Sequence, residues 1–199
     1  GSASAILGFI PNHKLANHYA EMALQASASV DNPRSQIWTY LAVGTYKLGI
    51  GEWDASRVAL LKAKELAASA SDSHLAGNTE TVLAGLEYYR GRDFDACQVH
   101  YDDLFAQANK SGNQLHLTWS TYGISFLHIM RGQFEQALHN VKDGEALDPT
   151  PINIAHLNSI RAMANWRLHS EEEAVKNMAN ALPILISLPP QVYSLLVSY

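Results

Sequence analysis

The chain has 199 residues, 47% of them apolar, and a net charge of −5 with 14 Lys and Arg spread along its length. This excludes a disordered or collagen-like polymer and leaves no basic stripe for nucleic acid or an anionic membrane. The longest apolar run, Leu182 to Leu188, is broken by Pro183 and Ser187 and falls far short of the roughly 18 to 20 residues that a membrane-spanning helix needs.

Taken in chain order, GSAS at 1–4 reads as a cloning remnant. ILG at 6–8 reads as the tail of a first helix, and the helix after it carries small residues at Ala16 and Ala23. QIWTYLAVGTYKLG (36–49) then opens a pair of helices whose second member runs from Trp53 through Ser56 and Ala63. NTETVLAGLEYYRG (78–91) precedes Phe94, Cys97 and Leu104, and LTWSTYGISFLHIMRG (117–132) precedes Phe134, Ala137 and Gly144. NSIRAMANWRLHS (158–170) precedes Glu171, Ala174 and Ala181, and QVYSLLVSY (191–199) reads as the opening of one more helix. Both termini therefore look like cuts through repeats, as expected of a piece excised from a longer protein.

The first small position of each second helix falls at 16, 56, 97, 137 and 174, in steps of 40, 41, 40 and 37. Such self-similarity is the signature of a repeat array. The first helices carry a small residue of their own, at Ala42, Gly85, Ser125 and Ala162, because two helices approach closely only where the side chains at their crossing are small. SDSHLAGN, NKSGNQ and DPTP, rich in helix breakers and capping residues, separate the units. The units span about 5–30, 35–70, 77–110, 115–149 and 154–188, with a partial one at 189–199. No strand is predicted, and 5–199 reads as one all-α repeat domain of about four complete helix pairs plus partial ends.

In Trp38, Leu41 and Ala42, in Gly85 and Tyr88, and best in Ala137 to Pro149, the chain resembles the tetratricopeptide repeats, whose helices follow a W-x2-L-G-x2-Y then A-x3-F and Pro pattern. The period departs from theirs, about 40 rather than 34 residues, and is similar to the longer repeats of large bacterial regulatory ATPases and of cyclase or kinase fusions. The aromatic of the pattern is lost at Glu171. The resemblance implies a right-handed superhelical solenoid whose concave wall is lined by first helices and holds ligands.

On that wall the resemblance places Tyr46, Lys47, Leu86, Tyr89, Arg90, Trp119, Tyr122, Phe126, Met130, Met163, Trp166 and Arg167. The third first helix is apolar almost all round, which calls for something to bury it: its neighbours, a ligand or a second copy. A basic residue follows an aromatic at Tyr46-Lys47, Tyr89-Arg90 and Trp166-Arg167, where it can meet an acidic group of a peptide or simply complement the helix dipole.

Phosphate loop, dinucleotide turn, HExxH and CxxC are all missing from the sequence, and no cofactor or metal is expected. His100, His116, His128, His139, His156 and His169 show no i, i+4 pairing. Cys97 with His100 three residues on allows a nucleophile and base, but Ser56, Ala137 and Ala174 at the same repeat position explain Cys97 by size. Asp102 with Asp103 and Glu171 to Glu173 read as solvated faces, the latter favoured by a helix N-terminus. Asn109-Lys110-Ser111 matches a glycosylation acceptor that matters only outside the cell, whereas the single cysteine, Cys97, points to a reducing, cytoplasmic setting. The expected function is a non-catalytic scaffold or regulatory module that binds a protein or peptide. The alternative is a structural or self-associating segment of a larger signalling ATPase, cyclase or kinase, packed on that protein's own catalytic domain or on a second copy.

Overall fold

The computed structural model describes residues 13–147 and 150–187. Among the described residues the chain forms nine helices and no strand. They are α1 (His13–Ala28), α2 (Pro33–Gly49), α3 (Trp53–Ser69), α4 (Ser73–Gly91), α5 (Phe94–Ser111), α6 (Gln114–Met130), α7 (Phe134–Leu147), α8 (Pro151–Arg167) and α9 (Glu171–Ser187). The readings of ILG at 6–8, of Pro149 and of QVYSLLVSY fall outside the described residues.

Each start has a local cause. The Asn32, Asp72 and Asn113 side chains accept hydrogen bonds from the amides of Ser35, Leu75 and His116, satisfying amides that a helix N-terminus leaves free. Proline occupies the first turn of α2 and of α8, where its missing N–H costs nothing. α4 begins at Ser73, inside the stretch 71–78 that reads as a connection. The Asp72 cap and complete burial of Leu75 draw SHLAG into the helix.

The turn inside each pair carries a second periodicity that the sequence hides. Gly51, Arg92, Gly132 and His169 all have positive φ, at 79°, 52°, 76° and 61°. Each stands five residues before Ser56, Cys97, Ala137 or Ala174. The amides that follow at Glu52, Gln133 and Ser170 bond back to the carbonyls of Lys47, His128 and Asn165 at 2.8–2.9 Å, closing the helix end in the manner of a Schellman motif. Two of these four left-handed residues are not glycine, so no residue-type pattern marks the turn.

The chain divides into two compact units, one ending at His100 and the other starting at Tyr101. In the first, α1 packs on α2, α2 pairs with α3, and α3 packs in turn on α4. Ile37 and Leu41 of α2 meet Leu60, Ala63 and Ala67 of α3 and Leu75, Leu83 and Leu86 of α4 in one core cluster. A smaller cluster joins Ala16 and Ala20 to Val43, Tyr46 and Ala59. In the second unit α6 pairs with α7 and α8 with α9, and α7 packs on α8. Ala137, Val141, Leu157 and Ile160 form its centre, with Tyr122, Phe126, Ile129 and Met163 packed against them.

Gly44 marks a close approach in the α2–α3 pair. A Cβ on Gly44 would stand 2.6 Å from Cγ of the buried Leu60. With Gly44 in place the small positions of the first helices become Gly44, Gly85, Ser125 and Ala162, whose steps of 41, 40 and 37 match those of their partner helices. The face of α2 that carries Gly44 is thus the one that meets Leu60.

Candidate functional site

The predicted surface residues separate into three groups. Leu86 is 0% exposed and belongs to the core of the first unit, and Tyr46 is buried beside Val43 and Ala59. The Tyr46 hydroxyl donates to the His13 carbonyl at 3.2 Å, and burial pushes its pKa up, with Lys47 opposing. Neither side chain reaches a ligand-facing surface, because an inward register on α2 and α4 turns them into the helix stack.

A second group is half-buried. Lys47 Nζ lies 2.8 Å from Asn17 Oδ1 and 2.8 Å from Glu52 Oε2, and 5.7 Å from the Tyr46 ring centroid, so its charge is already satisfied within the first unit. Trp119 tilts against His116, with ring centroids 5.4 Å apart, and Tyr122 against His156 at 5.1 Å. Phe126 and Met163 pack on the core between α7 and α8, and Met130 is partly buried at the end of α6. The apolar circumference of α6 is thus largely covered by its own unit. Its inner face is lined with Thr118, Ser120, Thr121 and Ser125, whose hydroxyls donate to backbone carbonyls three or four residues back.

The third group is open to solvent. Tyr89 is 38% exposed and Trp166 58% exposed, each at the C-terminal end of a first helix and each followed by an exposed arginine. Arg90 reaches to 3.3 Å from the exposed Asp54 carboxylate. The Arg167 guanidinium lies 5.4 Å from the Phe134 ring centroid, a cation–π distance that leaves its N–H groups able to donate outward. Tyr89 meets Tyr88 edge-on at 5.2 Å.

No family model matches the sequence, and no curated protein matches it. The chemistry of the site therefore rests on its geometry.

Cys97 is buried and its Sγ donates to the Ala84 carbonyl at 3.2 Å, while His100 Nδ1 turns to Glu80 Oε2 at 2.8 Å. Among the described residues no three His, Cys, Asp or Glu side chains converge to hold a metal ion, and no helix is long and apolar enough to cross a membrane.

Sequence reasoning missed Glu80. Its side chain is 1% exposed and sits between Lys64 Nζ at 2.6 Å and His100 Nδ1 at 2.8 Å, so that one carboxylate ties α3, α4 and α5 together within the first unit. Burial raises its pKa, but hydrogen bonds from His100 and Lys64 and their charges outweigh that and hold the carboxyl below its ordinary value. The one available signal was a glutamate amid the small and apolar residues of NTETVLAGL. The two side chains that meet it lie 16 residues before it and 20 after, beyond the reach of any local pattern.

Proposed function

We propose that the chain is a non-catalytic protein-interaction module, scaffolding or regulatory in role, which holds a peptide or helix of a partner protein against the faces of its first helices. The reading is supported by one recurrent feature: an exposed aromatic followed by an exposed arginine at the end of α4, as Tyr89-Arg90, and of α8, as Trp166-Arg167. A half-exposed indole contributes about 1.5–3 kcal/mol when a ligand covers it, and the adjacent guanidinium orients an acidic group. Of the wider expected wall, the solvent-open members are these four, whereas Trp119, Tyr122, Phe126, Met130 and Met163 are partly buried within the second unit. The ordinary site of such a module is the cytoplasm, in keeping with its single cysteine.

The test is selection of binders from a random peptide library displayed on phage, followed by affinity measurement on the Trp166→Ala and Tyr89→Ala chains. The expected result is enrichment of peptides carrying acidic and apolar residues and a loss of about tenfold or more in affinity with either substitution. Peptides that bind both variants as tightly as the parent, or no enrichment at all, would overturn the reading. A dimer that dissolves on Trp166→Ala would replace it by self-association.

A further inference from the structure

Helices α1, α3 and α7 use one and the same face to receive the helix that follows each of them. That face lies one, four and eight residues after the recurrent small residue at Ala16, Ser56 or Ala137. On α1, Asn17 accepts from Lys47 of α2 at 2.8 Å and Ala20 packs with Val43 and Tyr46. On α3, Arg57 pairs with Glu87 of α4 at 2.9 Å, Lys64 pairs with Glu80 at 2.6 Å, and Leu60 packs against Leu75, Leu83 and Leu86. On α7, Val141 meets Leu157 and Ile160 of α8, and Glu145 accepts from Arg161 at 2.6 Å. The central residues Ala20, Leu60 and Val141 are all buried.

Counting from Ala174, the same face of α9 carries Val175, Met178 and Leu182. All three stand open to solvent, and Ile186 one turn on extends the apolar stripe. The flank that pairs with α8 is a different one, through the buried Ala174, Asn177 and Ala181. Valine and leucine thus stand where α3 has Arg57 and Lys64.

The α3–α4 contact defines what such a face takes. α4 runs antiparallel to α3, because Glu87 meets Arg57 near the start of α3 and Glu80 meets Lys64 further on. Glu80, Leu83 and Glu87 follow at intervals of three and four, and Arg90, three further, reaches the Asp54 carboxylate at 3.3 Å. Asp54 stands two residues before Ser56, and the exposed Glu172 stands two before Ala174. The complement of α9 is therefore a helix with apolar residues where α4 has Glu80, Leu83 and Glu87, since a carboxylate set against Val175 or Leu182 would lose water without gaining a partner. A basic residue three positions later meets Glu172 as Arg90 meets Asp54.

We propose that the α9 stripe docks a helix of a partner protein, antiparallel to α9, that carries three apolar residues spaced three and four apart and a basic residue three further on. A second copy of α9 is a poor match for the stripe. Laid antiparallel, it brings Glu171, Glu172 and Glu173 to the negative C-terminal end of its twin; laid parallel, it sets the two acidic triplets side by side. The stripe shares no residue with the Tyr89-Arg90 and Trp166-Arg167 surfaces, so it is a second docking face.

Two labelled synthetic peptides test this against the full chain by fluorescence anisotropy. One is Ser73–Gly91, the sequence of α4, and the other is the same peptide with Glu80→Leu and Glu87→Leu. The parent chain is expected to bind the double-leucine peptide about tenfold or more tightly than the α4 peptide. Val175→Arg with Leu182→Lys restores the α3 charges at two exposed positions and should reverse that preference, which a loss of folding cannot do. Leu182→Lys alone should narrow the preference even if the double variant does not fold. Trp166→Ala should leave it unchanged. No saturable binding, equal affinity for the two peptides, a preference indifferent to the α9 substitutions, or loss of binding on Trp166→Ala would overturn the proposal. So would a parent dimer in sedimentation that Leu182→Lys dissociates, because a second copy would then be the occupant.

Discussion

Ser56 Oγ donates a 2.8 Å hydrogen bond to the carbonyl oxygen of Gly44 across the α2–α3 crossing, and Cys97, one repeat later, donates through sulfur to the carbonyl of Ala84. Smallness at this position permits the approach, and in two of the repeats the small side chain also ties the pair together. Cys97→Ser should therefore be tolerated within about 1 kcal/mol in urea unfolding, since the hydroxyl is the better donor. Cys97→Leu is expected to cost about 1–3 kcal/mol from overpacking.

Gly44→Ala and Gly123→Ala test the crossings directly. The added methyl would press on Leu60 in one unit and into the ring of Tyr101 in the other. Both neighbours are buried and cannot swing into water, so each substitution should cost about 1–3 kcal/mol by chemical denaturation. Gly49→Ala, where a Cβ meets nothing within 4 Å, provides a control without a clash.

Arg92→Gly and His169→Gly should each stabilise the protein by about 0.5–1 kcal/mol, because a side chain in the left-handed region costs roughly 1–2 kcal/mol and glycine's extra chain entropy returns only part of that. Gly132→Ala should move the melting temperature the other way. Opposite signs at equivalent turns would be read by calorimetry, and equal signs would refute the account of those turns.

Glu80 predicts an asymmetry between its partners. Lys64→Met removes the ammonium 2.6 Å from a buried carboxylate, and is expected to cost about 3 kcal/mol. Glu80→Leu removes the buried charge itself and leaves Lys64, whose side chain is 38% exposed, in contact with water, and should cost about 1 kcal/mol. Urea unfolding of both chains at neutral pH decides it.

Acid should act in two stages. Burial lowers the pKa of His156, whose Nε2 has no protein partner. The unfolded chain then takes up that proton first, and stability present above the ordinary value of 6.5 declines as pH falls towards the folded value. Glu80 and Glu145 have lowered pKa values, the latter through the Arg161 hydrogen bond. Their contribution holds above the ordinary 4.5 and is lost as pH falls through their folded values. Melting temperatures followed from about pH 8 to about pH 3 should show both declines, and His156→Phe should remove the upper one alone.

The sequence by itself determined that the chain is helical, that helices come in pairs and roughly where each begins and ends, because small residues and capping groups recur along the chain at a spacing visible to local reading. It also marked Tyr89, Arg90, Trp166 and Arg167, which the structure leaves open to solvent. The tertiary structure alone decided that Gly44 lies against Leu60 at the crossing, that Tyr46 and Leu86 point inward, and that Glu80 binds three helices through Lys64 and His100. Those facts depend on the rotation of each helix about its axis and on partners many residues away. A helix of small and apolar residues, as α2 and α4 are, allows several such rotations, and only packing against neighbours selects one.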